Sequence, residues 1–289
     1  MADRDSSVPL SPIWLVLLGI LSVQFGAAVA KTLFDEVSPT TIVWLRLVTS
    51  AVVLVAIARP ALRGRTRIDW QVMLAFGLAL GLMNWSFYQA MARIPIGLAV
   101  TIEFIGPLTL AVFGSRRARD LIWVALAGLG VVLLGVQPGA LNWAGVGFAL
   151  LAAATWAAYI LLSAQTGRRW QGVDGLALAS VVATLLLSPL TFGQYADQLV
   201  DARILLLGAL VGLLSSVIPY TCELVALRSL RPAVFSILMS LEPAVAALAA
   251  FVVVGEVLEP LQLVAMACVV VASVGATRSG ATISEPVPD

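Results

Sequence analysis

The chain has 289 residues, of which 61% are hydrophobic and 11% charged, with a net charge of +1 and no histidine. Soluble domains carry roughly 25% charged and about 45–50% apolar residues, so this composition excludes an ordinary soluble domain and points to a membrane-embedded chain. A balanced charge argues against nucleic acid as a partner, and the lack of histidine removes the commonest metal ligand and general base, so no cofactor is expected.

A helix needs about 20 mostly apolar residues to cross a bilayer, and ten such runs follow one another along the chain. The expected fold is all-α and integral to the membrane, with ten transmembrane helices. After a short N-terminal segment, 1–12, the first run covers 13–34. Its "AVA" at 28–30 resembles a signal-peptidase site. The apolar run is long and nine more follow, so an uncleaved first helix is expected. The second run, 38–58, opens on "SPT", and the third, 70–92, ends at "RIPIG". The fourth and fifth cover 96–114 and 120–136, and "QPGALN" at 137–142 then breaks the pattern. Runs at 142–163, 173–193, 203–226, 232–253 and 260–277 complete the set, with "LRP" and "LEP" as breakers before the last two. Residues 278–289 read as a solvated tail. Cys222 and Cys268 both fall in apolar stretches and are expected as buried thiols.

Orientation follows from the basic residues. Of the 17, thirteen fall on one set of alternate loops, Arg59, Arg63, Arg116 and Arg117 among them. The other set receives only Lys31, Arg93 and Arg203, and Arg46 lies within the second run. The arginine-rich side is the cytoplasm, so both termini are expected there.

Residues 88–109, "YQAMARIPIGLAVTIEFIGPLT", align with 224–245, "LVALRSLRPAVFSILMSLEPAV". Pro107 meets Pro243, and Ala90 meets Ala226. Each segment joins the third and fourth runs of a group of five. Five is odd, so a second group enters the membrane from the opposite side. The chain is therefore expected as two inverted five-helix repeats, 13–136 and 142–277, with a site at their interface.

An ionised acid at the centre of a span costs about 2.5–3.5 kcal/mol on insertion scales, so such a residue faces a cavity or a partner. Glu103 and Glu242 are central in the fourth and ninth runs, and Glu223 lies near the cytoplasmic end of the eighth. Arg46 is the expected counter-ion for one of them; Arg228 is an alternative partner for Glu223. Lys31 is expected to snorkel to the outer surface. Without histidine, the glutamates are the best candidates for a proton pathway. Asn84 and Tyr88 stand four apart in the third run; Ser216, Tyr220 and Glu223 stand four and then three apart in the eighth; Ser240 accompanies Glu242 in the ninth. Such groups suit a small zwitterion held in a mostly apolar cavity. They equally suit hydrogen bonds between packed helices. Pro107, Pro189, Pro219 and Pro243 are expected to kink their helices.

"ARIPIGLAVTIEFIGPLTLAVFGSRR" and "IPYTCELVALRSLRPAVFSILMSLEPAVAALAAFVVVGE" resemble the drug/metabolite transporter superfamily. Within it they resemble the EamA-type branch and bacterial threonine/homoserine exporters. Glu242-Pro243, Gly255-Glu256 and Arg46 carry the resemblance at superfamily level, whereas the run around Glu103 and "PYTCE" are narrower. One departure is "SRR" at 115–117 where the second half has Gly-Glu. The resemblance implies alternating access and export of small amino acids in exchange for protons across a bacterial inner membrane. Alternatives are the same fold with another metabolite or drug as cargo, or an integral-membrane lipid enzyme. The enzyme is the weaker reading, because the surface acids are scattered.

Overall fold

The computed structural model describes residues 12–114, 121–135, 142–227, 230 and 232–278. The expected N-terminal segment up to residue 11, "SRR", Arg228 and the tail beyond 278 lie outside the described residues. Within a bilayer every backbone polar group must find a partner inside the protein, which an α-helix achieves within its own segment. Among the described residues all regular elements are helical.

The first stretch gives α1 (Pro12–Thr32), α2 (Pro39–Ala58) and α3 (Arg67–Met91), then two short helices, α4 (Ile96–Glu103) and α5 (Ile105–Gly114), and α6 (Leu121–Gly135). The second gives α7 (Trp143–Gly167), α8 (Asp174–Gln194), a 3₁₀ turn (Ala196–Val200) and α9 (Ala202–Gly212). A wide π turn at Leu213–Val217 leads into α10 (Ile218–Leu227), followed by α11 (Pro232–Met239), α12 (Glu242–Val254) and α13 (Pro260–Arg278). Polar caps stand at the ends: Ser38 accepts from the Thr40 N–H, Thr66 and Asp69 form a reciprocal capping box, and Asn142 accepts from the Gly145 N–H.

Eight helical stretches among the described residues are long and apolar enough to span a bilayer, and two shorter apolar ones, Ile96–Leu110 and Leu121–Gly130, lie between them. Large apolar side chains cover the outside: Leu206 is 72% exposed and Leu185 64%. A soluble protein would not present so much of this surface to water. The chain is a multi-pass membrane protein.

Three helices are interrupted near prolines, each for the same reason. Pro107 has no N–H for the Glu103 carbonyl four residues back, Pro243 none for that of Met239, and Pro219 none for that of Ser215. Accordingly α4 stops at Glu103 and α11 at Met239, and the helix before Pro219 widens into its π turn. Both short helices have eight residues. Their starts, Ile96 and Pro232, their ends, Glu103 and Met239, and the prolines 107 and 243 are all offset by the same 136 residues (232 − 96, 239 − 103, 243 − 107).

Interhelix packing is reciprocal between the two stretches. α3 packs on α7 as α1 packs on α10; α4 and α5 pack on α7 as α12 packs on α1; α3 packs on α8 as α2 packs on α9. α2 meets α8, α4 meets α12 and α6 meets α13. Small residues bring the backbones close. At Gly106 of α5, a Cβ would fall on the Ala153 carbonyl oxygen of α7, so only glycine permits this approach. Gly106→Ala is therefore expected to overpack the α5–α7 contact at a cost of about 1–3 kcal/mol, lowering the melting temperature by about 2–8 °C. Thermal unfolding of the detergent-solubilised variant checks this; an unchanged midpoint would contradict the close contact.

Candidate solute cavity

The interrupted helices converge on one cavity of about 350 Å³. That falls within the roughly 300–1,000 Å³ typical of small-molecule sites. α1 to α5 contribute to it from the first stretch; α7, α10 to α13 and the π turn contribute from the second.

Glu103 reaches the cavity as the last residue of α4, where the helix breaks before Pro107. Glu242 reaches it as the first residue of α12, on the other side of an equivalent break. The proline that ends each regular segment thus also turns an acid towards the interior. Glu223 of α10 completes a set of three carboxyls near enough to act on one another electrostatically. Like charges in a low-dielectric cavity repel, so a proton or a cationic group among them relieves the repulsion.

Arg46 of α2 is 7% exposed and lines the same cavity. It is held by the π turn. The Ser215 carbonyl loses its usual partner at Pro219 and accepts from Arg46 Nη2 at 2.8 Å, while Arg46 Nε donates to Ser216 Oγ at 3.1 Å. The neighbouring Leu214 carbonyl is also freed, because the Ile218 N–H reaches back to Leu213; Ser22 Oγ of α1 donates to it at 2.6 Å. π turns mark functional sites in many helices, and this one fastens α1 and α2 to the second stretch. Arg46 also lies over the Tyr88 ring, 5.7 Å from its centroid. Expected as a counter-ion, Arg46 spends these described hydrogen bonds on the π turn, and its charge acts on Glu103 and Tyr220 through space.

Of the other residues singled out in the sequence, Asn84 and Tyr220 line the cavity. Asn84 Nδ2 donates to the Leu80 carbonyl at 2.8 Å, which orients the amide. Tyr220 shares a hydrogen bond with Tyr159 of α7. Tyr88 is fully buried one layer behind, against Phe34 and Phe87, with no described partner for its hydroxyl. Ser240 stands at the break before α12, its hydroxyl 2.7 Å from that of Ser273, which lines the cavity. Gln24, Trp156, Tyr159, Ser273 and Thr277 also line the cavity and were not picked from the sequence. Gln24 was discoverable: it is an amide in an apolar run, only less costly than an acid. Tyr159 and Trp156 had no such signal. Among the described residues no three His, Cys, Asp or Glu side chains cluster as metal ligands would.

Lys31, expected to reach the outer surface, stands in the last turn of α1, where it forms an ion pair with Glu256 in the link between α12 and α13 and donates to the Ile94 carbonyl at 2.9 Å.

A bundle of apolar helices around a mostly apolar cavity with a few convergent charges is the kind of site a membrane transporter uses. The EamA-like transporter family model matches the chain twice, over residues 10–137 and 143–278, and the chain belongs to that family. It is 38% identical over 273 residues to the threonine/homoserine exporter RhtA of Salmonella typhimurium, and 37% identical to that of Escherichia coli K12. Each match covers 92% of this chain and 92% of the relative. A solved crystal structure of a protein 18% identical superposes with a TM-score of 0.63, covering 92% of this chain and 97% of that one. At that identity the likeness concerns the fold alone.

Arg46→Lys keeps the charge but cannot reproduce the fork that holds both Ser215 and Ser216. It is expected to cost about 1–3 kcal/mol and to lower the melting temperature of the purified protein by about 2–8 °C. Melting at the wild-type temperature would contradict the role given to the π turn.

Proposed function

We propose that this protein exports small amino acids of the threonine or homoserine type across a bacterial inner membrane, in exchange for protons. The observation that carries the reading is the cavity itself: three carboxyls and one arginine in a space sized for a small zwitterion. The carboxyls offer partners for the solute's ammonium group, and Arg46 offers one for its carboxylate. Full-length similarity to exporters of threonine and homoserine supports the cargo.

Proton exchange follows from the same charges. The acids attract either an ammonium or protons, so loading one displaces the other. Glu103, Glu223, Glu242 and Arg46 form the core of this pathway, with Asn84, Tyr88, Tyr220 and Ser240 as its polar surround. Tyr88 and Ser240 act from behind the lining, through Arg46 and Ser273.

The architecture proposed is ten spans in two inverted five-helix repeats, 13–136 and 142–277, that rock about the cavity to expose it alternately. Three observations support it. The family model matches each half separately. The short helices and their prolines recur at one offset. The helix contacts are reciprocal between the halves. The arginine-rich loops support a cytoplasmic position for both termini.

Counterflow of labelled threonine in proteoliposomes tests the reading, with a panel of sugars, nucleotides and other amino acids as competitors. Wild type is expected to exchange threonine well above empty vesicles, and efflux is expected to accelerate when the opposite side is made acidic. Glu103→Gln should lower exchange by about tenfold or more, since removing one partner of a buried charged contact costs about 2–5 kcal/mol. It should also lose the response to the pH gradient. Exchange no faster than in empty vesicles, or an unaltered pH response in Glu103→Gln, would overturn the proposal.

A further inference from the structure

The lining of the cavity reaches one end of the bundle and stops short of the other, its blind end. Its lining reaches Thr277, in the last turn of α13, and Glu223 near the end of α10. At the opposite end it stops at Ala27 of α1 and Val100 of α4. One helical turn beyond these two residues stand Lys31 and Ile96.

There three segments are fastened together by one carboxylate. Glu256, in the link between α12 and α13, pairs through Oε1 with Lys31 Nζ. Its Oε2 accepts the Ile96 N–H at 2.9 Å, at the start of α4, where Pro95 provides no side-chain cap. Lys31 adds its bond to the Ile94 carbonyl at 2.9 Å. Glu256 is aimed by Gly255, whose φ of 76° turns the chain sharply at the end of α12. Behind this clasp Ile94 and Ile96 are buried, and Gly97 packs against Ala247 and Leu258.

Resting on the transport reading above, we propose that Lys31, Glu256 and the start of α4 form the gate that seals the blind end of the cavity and parts to release solute there. A seal of this kind must be both closed and reversible. The clasp joins helices of both halves, so any motion that opens the blind end must break it. Its two side chains keep 17% exposure each, so water can take over their hydrogen bonds as they separate. A fully buried pair would be far costlier to part, because its charges would lose their partners without gaining solvent.

Two measurements on a variant with Cys222 and Cys268 changed to serine test the gate. In the first, Ala27→Cys, at the blind end, is labelled by a membrane-impermeant thiol reagent applied to the Lys31 face. Labelling is expected to rise about fivefold or more when Glu256→Gln is added, as the closed state loses its differential stabilisation. It should fall back when Lys31→Glu and Glu256→Lys are combined. Labelling unaffected by Glu256→Gln would overturn the gate. In the second, Lys31→Cys and Glu256→Cys are bridged by a short bifunctional thiol reagent. Threonine counterflow should drop to that of empty vesicles and recover on reduction; a bridged protein exchanging at the unbridged rate would overturn the gate. If the unbridged protein exchanges no threonine, the cargo is wrong, and the labelling result, which needs no cargo, still decides the gate.

Discussion

Hydrocarbon offers no hydrogen bonds, and the architecture of the cavity follows from that constraint. A proline inside a spanning helix leaves a carbonyl without its donor, and the chain must supply another. At Pro219 the remedy is a π turn whose loosened carbonyls are taken by Ser22 and Arg46 from the other half. At Pro107 and Pro243 the helices break, and Glu103 and Glu242 lie at the breaks. Irregular backbone at membrane depth is tolerated where it lines a cavity, and here the three irregular places surround the same one.

The arrangement links stability to function. Arg46 ties the first half to the second through the π turn, and the same guanidinium is the cation facing the cavity acids. The Ser215 carbonyl needs a donor but not a charged one, since the Ser22 hydroxyl satisfies that of Leu214, so a purely structural role does not account for a guanidinium at this depth. Retaining the charge makes sense if a solute carboxylate uses it. Two of the acids show the same economy: Glu103 and Glu242 lie where their helices had to be interrupted, so this part of the polar lining adds little disruption beyond what the prolines cause.

Much of this was legible in the sequence. The apolar runs located the eight long spans to within about five residues, because a span's length and hydropathy are imposed by the bilayer and leave little latitude, whereas the fourth and fifth runs hold shorter apolar helices. Glu103, Glu223, Glu242 and Arg46 stood out because charge in such runs is costly, and all four line the cavity. The breaks in the fourth and ninth runs were foreshadowed by their prolines, but the π turn before Pro219 was not, since a kink, a break and a widened turn all relieve the same missing donor. The pairing of Lys31 with Glu256 was not foreseen, because the two lie more than 200 residues apart in the chain and no local pattern reports such a contact. Tyr159 and Trp156 escaped notice because an aromatic residue in an apolar helix looks the same whether it faces lipid, core or cavity.

The central claim is that solute and protons compete for the same buried carboxyls. It is tested most directly by titrating threonine into the purified protein calorimetrically, in two buffers of different ionisation enthalpy at one pH. Proton displacement predicts apparent binding heats that differ between the buffers for wild type and converge for Glu103→Gln. Threonine binding to wild type with the same heat in both buffers would contradict the account.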